Sequence, residues 1–477
     1  MAASLLAALA AAGCLTLSGG WFTDVTGGSG IPPLKYAEGA NFRDLDGDGL
    51  PELFLPVVKG RDRLFKNLGG CRFRDITDAS GIVEKGGIGA VFADFDGDGI
   101  SDLYVVRGAY PYGLNILYRG LKGGGYKDIS QEAVAGRKNG ISASAADFDG
   151  DGRADIFVSN WGANTLYKNE TKDGKIAFED VAAKAGVYGE ARNWGSVVSD
   201  LNGDGLPDVV VLRGGNGKGE GVAVYMNKGG GLFEDRTASS GISGVKWSMG
   251  AVSADFDGDG SFDLFICNYD GPDRLFLNDG KGVFRDATEG SGISSGHSVG
   301  AAAGCIDGDL LPDLVVGEFT GHVVIYKNLG GGRFQEVKSP AISSSAKNEG
   351  VALADIDNDG DLDLYVANYD GGNRLYRNDT QDGNFLKVRT TGGFKPGTVA
   401  RLYKAGMAGE RAGFLAVQEM HSVYGFCSQG PAEFLFRLPD KGPYDLSVVL
   451  PGGRSIERRG IMTGTIDING TQGPSSR

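Results

Sequence analysis

Hydrophobic positions come in short bursts along most of this chain. A run of small residues such as Gly89-Ala90-Val91-Phe92-Ala93 leads into a polar loop, and an apolar run such as Asp102-Leu103-Tyr104-Val105-Val106 follows it. A third run ends in Asn or Gly, as in Arg63-Leu64-Phe65-Lys66-Asn67. After a glycine turn the fourth reads Phe-x-Asp-x-Thr, as in Phe73-Arg74-Asp75-Ile76-Thr77. Val, Ile, Tyr and Phe crowd the runs while Gly, Asn and Asp crowd the gaps, which predicts short antiparallel strands joined by tight turns. No stretch of this region holds the 3.6-residue period of an amphipathic helix. Each burst group therefore predicts a four-stranded meander.

The group repeats. Its polar loop begins at Asp44 (DLDGDGLPE), Asp94 (DFDGDGISD), Asp147 (DFDGDGRAD), Asp200 (DLNGDGLPD), Asp255 (DFDGDGSFD), Cys305 (CIDGDLLPD) and Asp355 (DIDNDGDLD), at intervals of 50 to 55 residues. Seven four-stranded units set around an axis predict an all-β fold, a seven-bladed β-propeller. The seventh unit stops at Leu375-Tyr376-Arg377-Asn378 without its Phe-x-Asp-x-Thr strand. A spare copy stands near the N-terminus as Trp21-Phe22-Thr23-Asp24-Val25-Thr26. That N-terminal strand is expected to complete the last blade and remove the open edges of an unclosed array. Beyond about residue 384 the acidic phrase vanishes, and new β-like runs at 385–388, 399–403, 433–436 and 445–450 predict a small second β domain. The expected boundaries are 20–383 for the propeller, 384–470 for the C-terminal domain and 471–477 for a disordered tail.

The loops carry the chemistry. Alternating carboxylates repel one another unless a cation sits among them, and a hard cation with oxygen ligands, calcium in the usual case, meets that need. The ligand set read from the spacing is Asp44, Asp46, Asp48 and Glu52; Asp94, Asp96, Asp98 and Asp102; Asp147, Asp149, Asp151 and Asp155; Asp200, Asn202, Asp204 and Asp208; Asp255, Asp257, Asp259 and Asp263; and Asp355, Asp357, Asp359 and Asp363. The phrase is similar to the first half of an EF-hand loop but closes with an acid at its ninth position. Asn202 predicts weaker binding in the fourth loop. In the sixth, Cys305 replaces the first acid and Leu310 a glycine, so Asp307, Asp309 and Asp313 are left as an incomplete set. About six calcium ions are expected, clamping hairpins that charge repulsion would splay.

Composition agrees with this inventory. The chain has 477 residues, 82 of them glycine, and a net charge of −14. Glycine without a Gly-X-Y period excludes collagen, the apolar content excludes disorder, and the acidity argues against nucleic acid as a partner. Residues 1–19 read as a signal peptide, implying export. Ala11-Ala12-Gly13-Cys14 is similar to a lipoprotein box, in which lipidation of Cys14 would be the only tie to a membrane; an ordinary cleaved leader is the alternative. Cys71, Cys267, Cys305 and Cys427 have no metal spacing. They are open to three pairings or to remaining free thiols, and a large propeller has no need of staples.

These units resemble the FG-GAP or VCBS repeats of integrin alpha-subunit propellers and of many secreted bacterial proteins. The C-terminal part resembles the ASPIC/UnbV domain in Gly397-Thr398-Val399-Ala400-Arg401-Leu402 and Gly425-Phe426-Cys427-Ser428-Gln429, with Leu450-Pro451-Gly452-Gly453 in place of its Trp-Pro-Ser-Gly turn. The combination resembles the cartilage acidic protein family. It implies an extracellular calcium-binding propeller with no settled enzymatic activity.

Strand direction separates two faces. The links before the first strands lie opposite the acidic loops and carry Lys35, Lys85, Lys138, Arg192, Lys246, His297 and Lys347, with Tyr36, Asn193, Trp194 and Trp247 beside them. The loops after the second strands add Asn160-Trp161, Asn268-Tyr269 and Asn368-Tyr369. A basic, aromatic-lined funnel on the ion-free face would suit an anionic glycan or an acidic protein loop. The expected function is non-enzymatic adhesion or recognition at or outside the cell surface. The alternatives are a calcium-dependent polysaccharide lyase or other carbohydrate-active enzyme, and a passive scaffold.

Overall fold

The computed structural model describes residues 21–83, 85–108, 114–133, 140–215, 221–342, 346–380, 383–391, 395–423 and 425–469. The predicted leader, the C-terminal tail and Lys138 lie outside them. Among the described residues the repeat region folds into seven four-stranded antiparallel units, the third and fourth joined into one eight-stranded sheet where residues 161–163 pair with 190–192, an arrangement consistent with propeller blades. In the second unit the strands are Gly89–Ala93, Asp102–Val106, Ile116–Leu121 and Gly125–Asp128, paired in that order. The first strands of successive units touch in a cycle that returns from the seventh unit to the first. Apolar side chains of neighbouring units interlock across the seams, as Phe54 of the first does with Phe92 of the second, rings edge to face at 6.1 Å.

The seventh sheet is completed from the other end of the chain. Phe22–Asp24 pairs antiparallel with Arg374–Asn378, Phe22 opposite Asn378. Where the Phe-x-Asp-x-Thr strand keeps both its Asp and its Thr, it ends alike: the aspartate accepts the threonine N–H, and the threonine hydroxyl accepts the N–H of the adjacent third strand. Thr77 does this to Leu64 and Thr26 to Leu375, each at 2.9–3.0 Å. One-turn helices such as Thr77–Ser80 follow three of these strands, too short to leave a periodic signature in sequence.

Two further sheets form from the C-terminal residues. Asn384–Thr391 pairs antiparallel with Glu433–Leu438 and parallel with Gly464–Asn469. Val399–Lys404 lies between Phe414–Glu419 and Tyr444–Val449, with Ser455–Ile461 outside the latter. Strand alternation sends Leu386, Val388, Phe434 and Phe436 into a core shared with Ala400, Leu402, Leu446 and Val448. Phe385, Lys387, Leu435 and Arg437 fall on the opposite side, towards the repeat units.

Between Phe414–Glu419 and Glu433–Leu438 the chain leaves its sheets and runs through the ring. The Gly425 N–H donates to Ala251 O at 2.8 Å, and the Ser422 hydroxyl accepts the Ala145 N–H at 2.9 Å. His421 places its ring nitrogens 3.3 and 3.2 Å from Val198 O and Ser253 O. Gln429 is held at both ends: its N–H donates to Ala40 O, its carbonyl accepts from the Phe42 N–H, and its side-chain amide closes on the backbone N–H and C=O of Phe92. A Cβ on Gly425 would stand 2.3 Å from Ala301 O, and one on Gly350 would stand 2.9 Å from Ser428 Oγ. These residues belong to the inner strands of all seven units, which only a segment on the axis can reach. The turn singled out in sequence as Gly425–Gln429 is thus an axial plug, and the expected funnel is closed at its base by Phe426 and Cys427. All four described cysteines are buried and free.

Candidate metal loops and the opposite face

Each acidic loop except the sixth, where Cys305 stands first, is wound around its first carboxylate. Asp94 accepts the N–H groups of Gly97 and Asp98 on one oxygen and that of Gly99 on the other, at 2.8–3.1 Å. Gly97 and Gly99 take φ of 74° and 85°, which glycine adopts without strain. The ninth acid ties loop to sheet: Asp102 accepts Phe95 N–H on one oxygen and Gly120 N–H of the third strand on the other, at 2.9 and 2.8 Å. The same pair recurs at Asp155, Asp208, Asp263, Asp313 and Asp363.

Five loops gather three ligand oxygens within 4.8 Å of one another. They are Asp44, Asp46 and Asp48; Asp94, Asp96 and Asp102; Asp147, Asp149 and Asp155; Asp255, Asp257 and Asp259; and Asp355, Asp357 and Asp359. Asp98, Asp151, Asp263, Asp363 and Glu52 complete the same loops. In the fourth, Asn202 stands among Asp200, Asp204 and Asp208 and turns its amide N–H to Asp204 at 3.0 Å. Burial pushes Asp102, Asp155, Asp208 and Asp263 up to about 8, with loop neighbours adding to the rise against the hydrogen bonds that oppose it. Asp313 and Asp363 shift the same way. Crowded hard carboxylate oxygens are what a divalent hard cation fits. Such an ion would supply positive charge at the hinge between the first two strands.

A second device went unrecognised in sequence. The asparagine ending the third strand donates through Nδ2 to its own loop and to the loop of the preceding unit. Asn278 does so to Phe262 O at 2.9 Å and Leu201 O at 2.7 Å. Asn169, Asn227, Asn328 and Asn378 repeat the bond to the neighbouring loop, and Asn67 makes it from the first unit back to Ile356 of the seventh. In the second unit Gly120 occupies the position and the staple is missing. The sequence signal was the recurring Asn itself.

A scan against family profiles matches the FG-GAP-like repeat at residues 44–105, 94–158, 147–211, 200–266, 255–316 and 306–366. The chain belongs to the FG-GAP-like repeat family. Cartilage acidic protein 1 of Xenopus tropicalis is 31% identical over 170 residues, covering 33% of this chain and 26% of that protein. The Homo sapiens protein of the same name is 31% identical over 167 residues, covering 32% and 25%. The chain thus spans about a quarter of the length of the curated relatives it matches. Among solved structures, the BP39L lectin from Burkholderia pseudomallei superposes with a TM-score of 0.49 at 13% identity, over 73% of this chain and 98% of that one. The rhamnogalacturonan lyase YesX superposes with a TM-score of 0.46 at 14% identity, over 76% of each.

The last two FG-GAP loops face the C-terminal sheets. At the sixth, the Cys305 thiol lies 3.9 Å from Gln418 Nε2, Leu310 packs against the C-terminal core, and Lys327 pairs with Asp307 and Asp309. The two departures from the acidic phrase are therefore contacts of the docked sheets. At the seventh, Lys387, fully buried, reaches Asp355 at 2.5 Å and Asn358 Oδ1 at 2.8 Å, and Arg437 donates to Gly360 O at 2.7 Å. Asn358 replaces the fourth-position glycine and keeps its φ of 63°.

On the opposite face aromatic rings form a continuous arc. Trp161, Trp194, Trp247, Tyr269 and Phe319 follow one another at centroid spacings of 5.2, 5.9, 4.9 and 5.3 Å, and Trp194, Trp247, Tyr269 and Phe319 pack over the axial plug. Arg192 lies 5.7 Å from the Trp161 ring and Lys347 4.9 Å from that of Phe319. Lys59, not foreseen in sequence, sits 4.4 Å from Tyr36 and 5.6 Å from Tyr369. Lys35, Lys85, Lys246 and His297 are exposed without a ring contact among the described residues. Arg192 and Trp194 stand not in a link but in the extended strand Glu190–Ser199, where Arg192 pairs with Trp161. The rim is not purely basic, because Glu38 and Glu349 are also there. Burial pushes Glu38 up to about 8 against the pull of Lys59, and burial together with Glu38 raises Glu349.

Proposed function

We propose that this chain is a seven-bladed β-propeller that takes calcium on one face and works, outside the cell, as a non-enzymatic recognition module through the other. The observation that carries this reading is the arc from Trp161 to Phe319, with a cation over the ring at each end. Flat aromatic faces suit the C–H faces of sugar rings, and Arg192 and Lys347 add attraction for carboxylate or sulfate. The acidic loops lie at the other end of each first strand, so their ions shape the ring and leave the arc free. An anionic glycan is the ligand class that this pairing of rings and cations favours.

The test is binding of the full chain to immobilised polygalacturonate and heparin, beside neutral glycans, at low and raised salt. Salt-sensitive binding to the anionic polymers is expected, with Trp161→Ala and Lys347→Ala each weakening it while calcium-dependent stability is kept. Binding to none of them would defeat the recognition reading. Release of unsaturated uronate product would replace it with a lyase.

A further inference from the structure

The residue just before the asparagine of each third strand (before Gly120 in the second unit) stands at the acidic loop, and it divides the loops into two classes. In the first unit Lys66 Nζ lies 2.5 Å from Asp46, 2.6 Å from Asp48 and 3.1 Å from Glu52, among the third, fifth and ninth acids. In the second, Arg119 lies 2.5 Å from Asp96 and 3.4 Å from Asp98, and in the third Lys168 lies 2.8 Å from Asp149. The fourth and fifth units have Met226 and Leu277 there, both buried and uncharged.

Building on the calcium reading above, we propose that this single position sets the order in which the loops take calcium. The fifth loop, with four carboxylates and Leu277, fills first, and the fourth, with Asn202 and Met226, follows. In loops one to three the ion must displace a side-chain cation from the oxygens it needs. That cation, on its flexible stem, stays close enough to oppose the ion afterwards. An opposite charge this near a carboxylate commonly lowers its affinity for a proton by 1–3 pKa units, so a loss of about tenfold or more is expected for a divalent ion. The sixth loop is the end of the series, where Lys327 pairs with Asp307 and Asp309 in a loop that has lost its first acid. The seventh stands between, because Arg377 is drawn aside to Asp379 at 2.7 Å while Lys387 touches Asp355 from the C-terminal sheets.

Calcium titration of the chelator-stripped full chain, followed by calorimetry and by thermal midpoint, tests this order. The native chain should show a tight minority class of sites above a weaker class. Lys66→Met should move one site into the tight class by about tenfold, and Lys66→Arg should leave it weak. Leu277→Lys should weaken the tight class; should that variant fail to fold, the Lys66 pair still decides. Calcium binding that is the same in the native chain and Lys66→Met would overturn this proposal and leave the calcium reading intact. A native chain that shows neither heat nor a midpoint shift with calcium would overturn both.

Discussion

A carboxylate shut away from water and pinned by two backbone N–H groups is a costly place for charge unless something positive is near. The ninth-position acids are in that state: Asp208 and Asp263 are fully buried and pushed up to about 8 by burial. In an unfolded chain an aspartate titrates near about 3.9. Between those two values the ion-free folded protein holds more protons than the unfolded one, so its stability must fall as pH rises. The contribution is fully present below about pH 4 and lost by the time pH passes about 8. In chelator, the thermal midpoint is therefore expected to be higher at pH 5 than at pH 8. Calcium, which competes with those protons, should raise the midpoint more at pH 8 than at pH 5. A chelated protein more stable at pH 8 would mean that these acids ionise without strain.

Staples and turns act at the scale of the element. Removing the buried Asn227 side chain leaves Phe148 O and Pro207 O without their donor, a loss of about 1–3 kcal/mol. Asn227→Ala is expected to lower stability by that amount in urea denaturation, and Asn67→Ala to do likewise at the seam between the first and seventh units. An equal midpoint for either variant and the native chain would reduce these bonds to spectators. What could be read from sequence follows from periodicity. The acids, the Phe-x-Asp-x-Thr strands and the spare N-terminal copy recur in register, so their neighbours within the unit were legible. The asparagines also recur, but their partners lie on the neighbouring unit's loop, 72 to 79 residues earlier in five of the units, and no local pattern names them. Gln429 has no period at all, and its bond to Phe92 spans 337 residues. Gly425 could be suspected of a turn but not of lying against Ala301. Gly425→Ala is expected to displace the plug, since its φ of 60° and the nearby Ala301 carbonyl leave no room for a methyl group. Faster limited proteolysis between the C-terminal sheets is the check, and a native cleavage rate would count against the plug.

At the scale of the whole molecule, the ring is held at three places: by the loops on one face, by the plug along the axis, and by the N-terminal strand at the seam. The last is the most exposed to test, because it is short and comes from the far end of the chain. Trp21 and Phe22 are 8% and 2% exposed, packed with Tyr376, Val366 and Ile306. Stripping two such side chains from a core removes roughly 3–6 kcal/mol of burial. It also bares the outer edge of Arg374–Asn378, whose N–H and C=O groups now pair with Phe22–Asp24. A bare strand edge seeks another chain. A chain beginning at Gly27 is therefore expected to melt lower than one beginning at Trp21 and to self-associate in light scattering. A peptide of residues 21–26 added in trans should restore both midpoint and monodispersity, whereas the same peptide with Phe22→Asp should restore neither, because an aspartate there would bury a charge against Tyr376. Monomeric behaviour and an unchanged midpoint in the shortened chain would show that the seventh sheet closes without its fourth strand. The axial plug, which touches every unit, and the Asn67 bond to Ile356 across the seam would then be enough to close the ring.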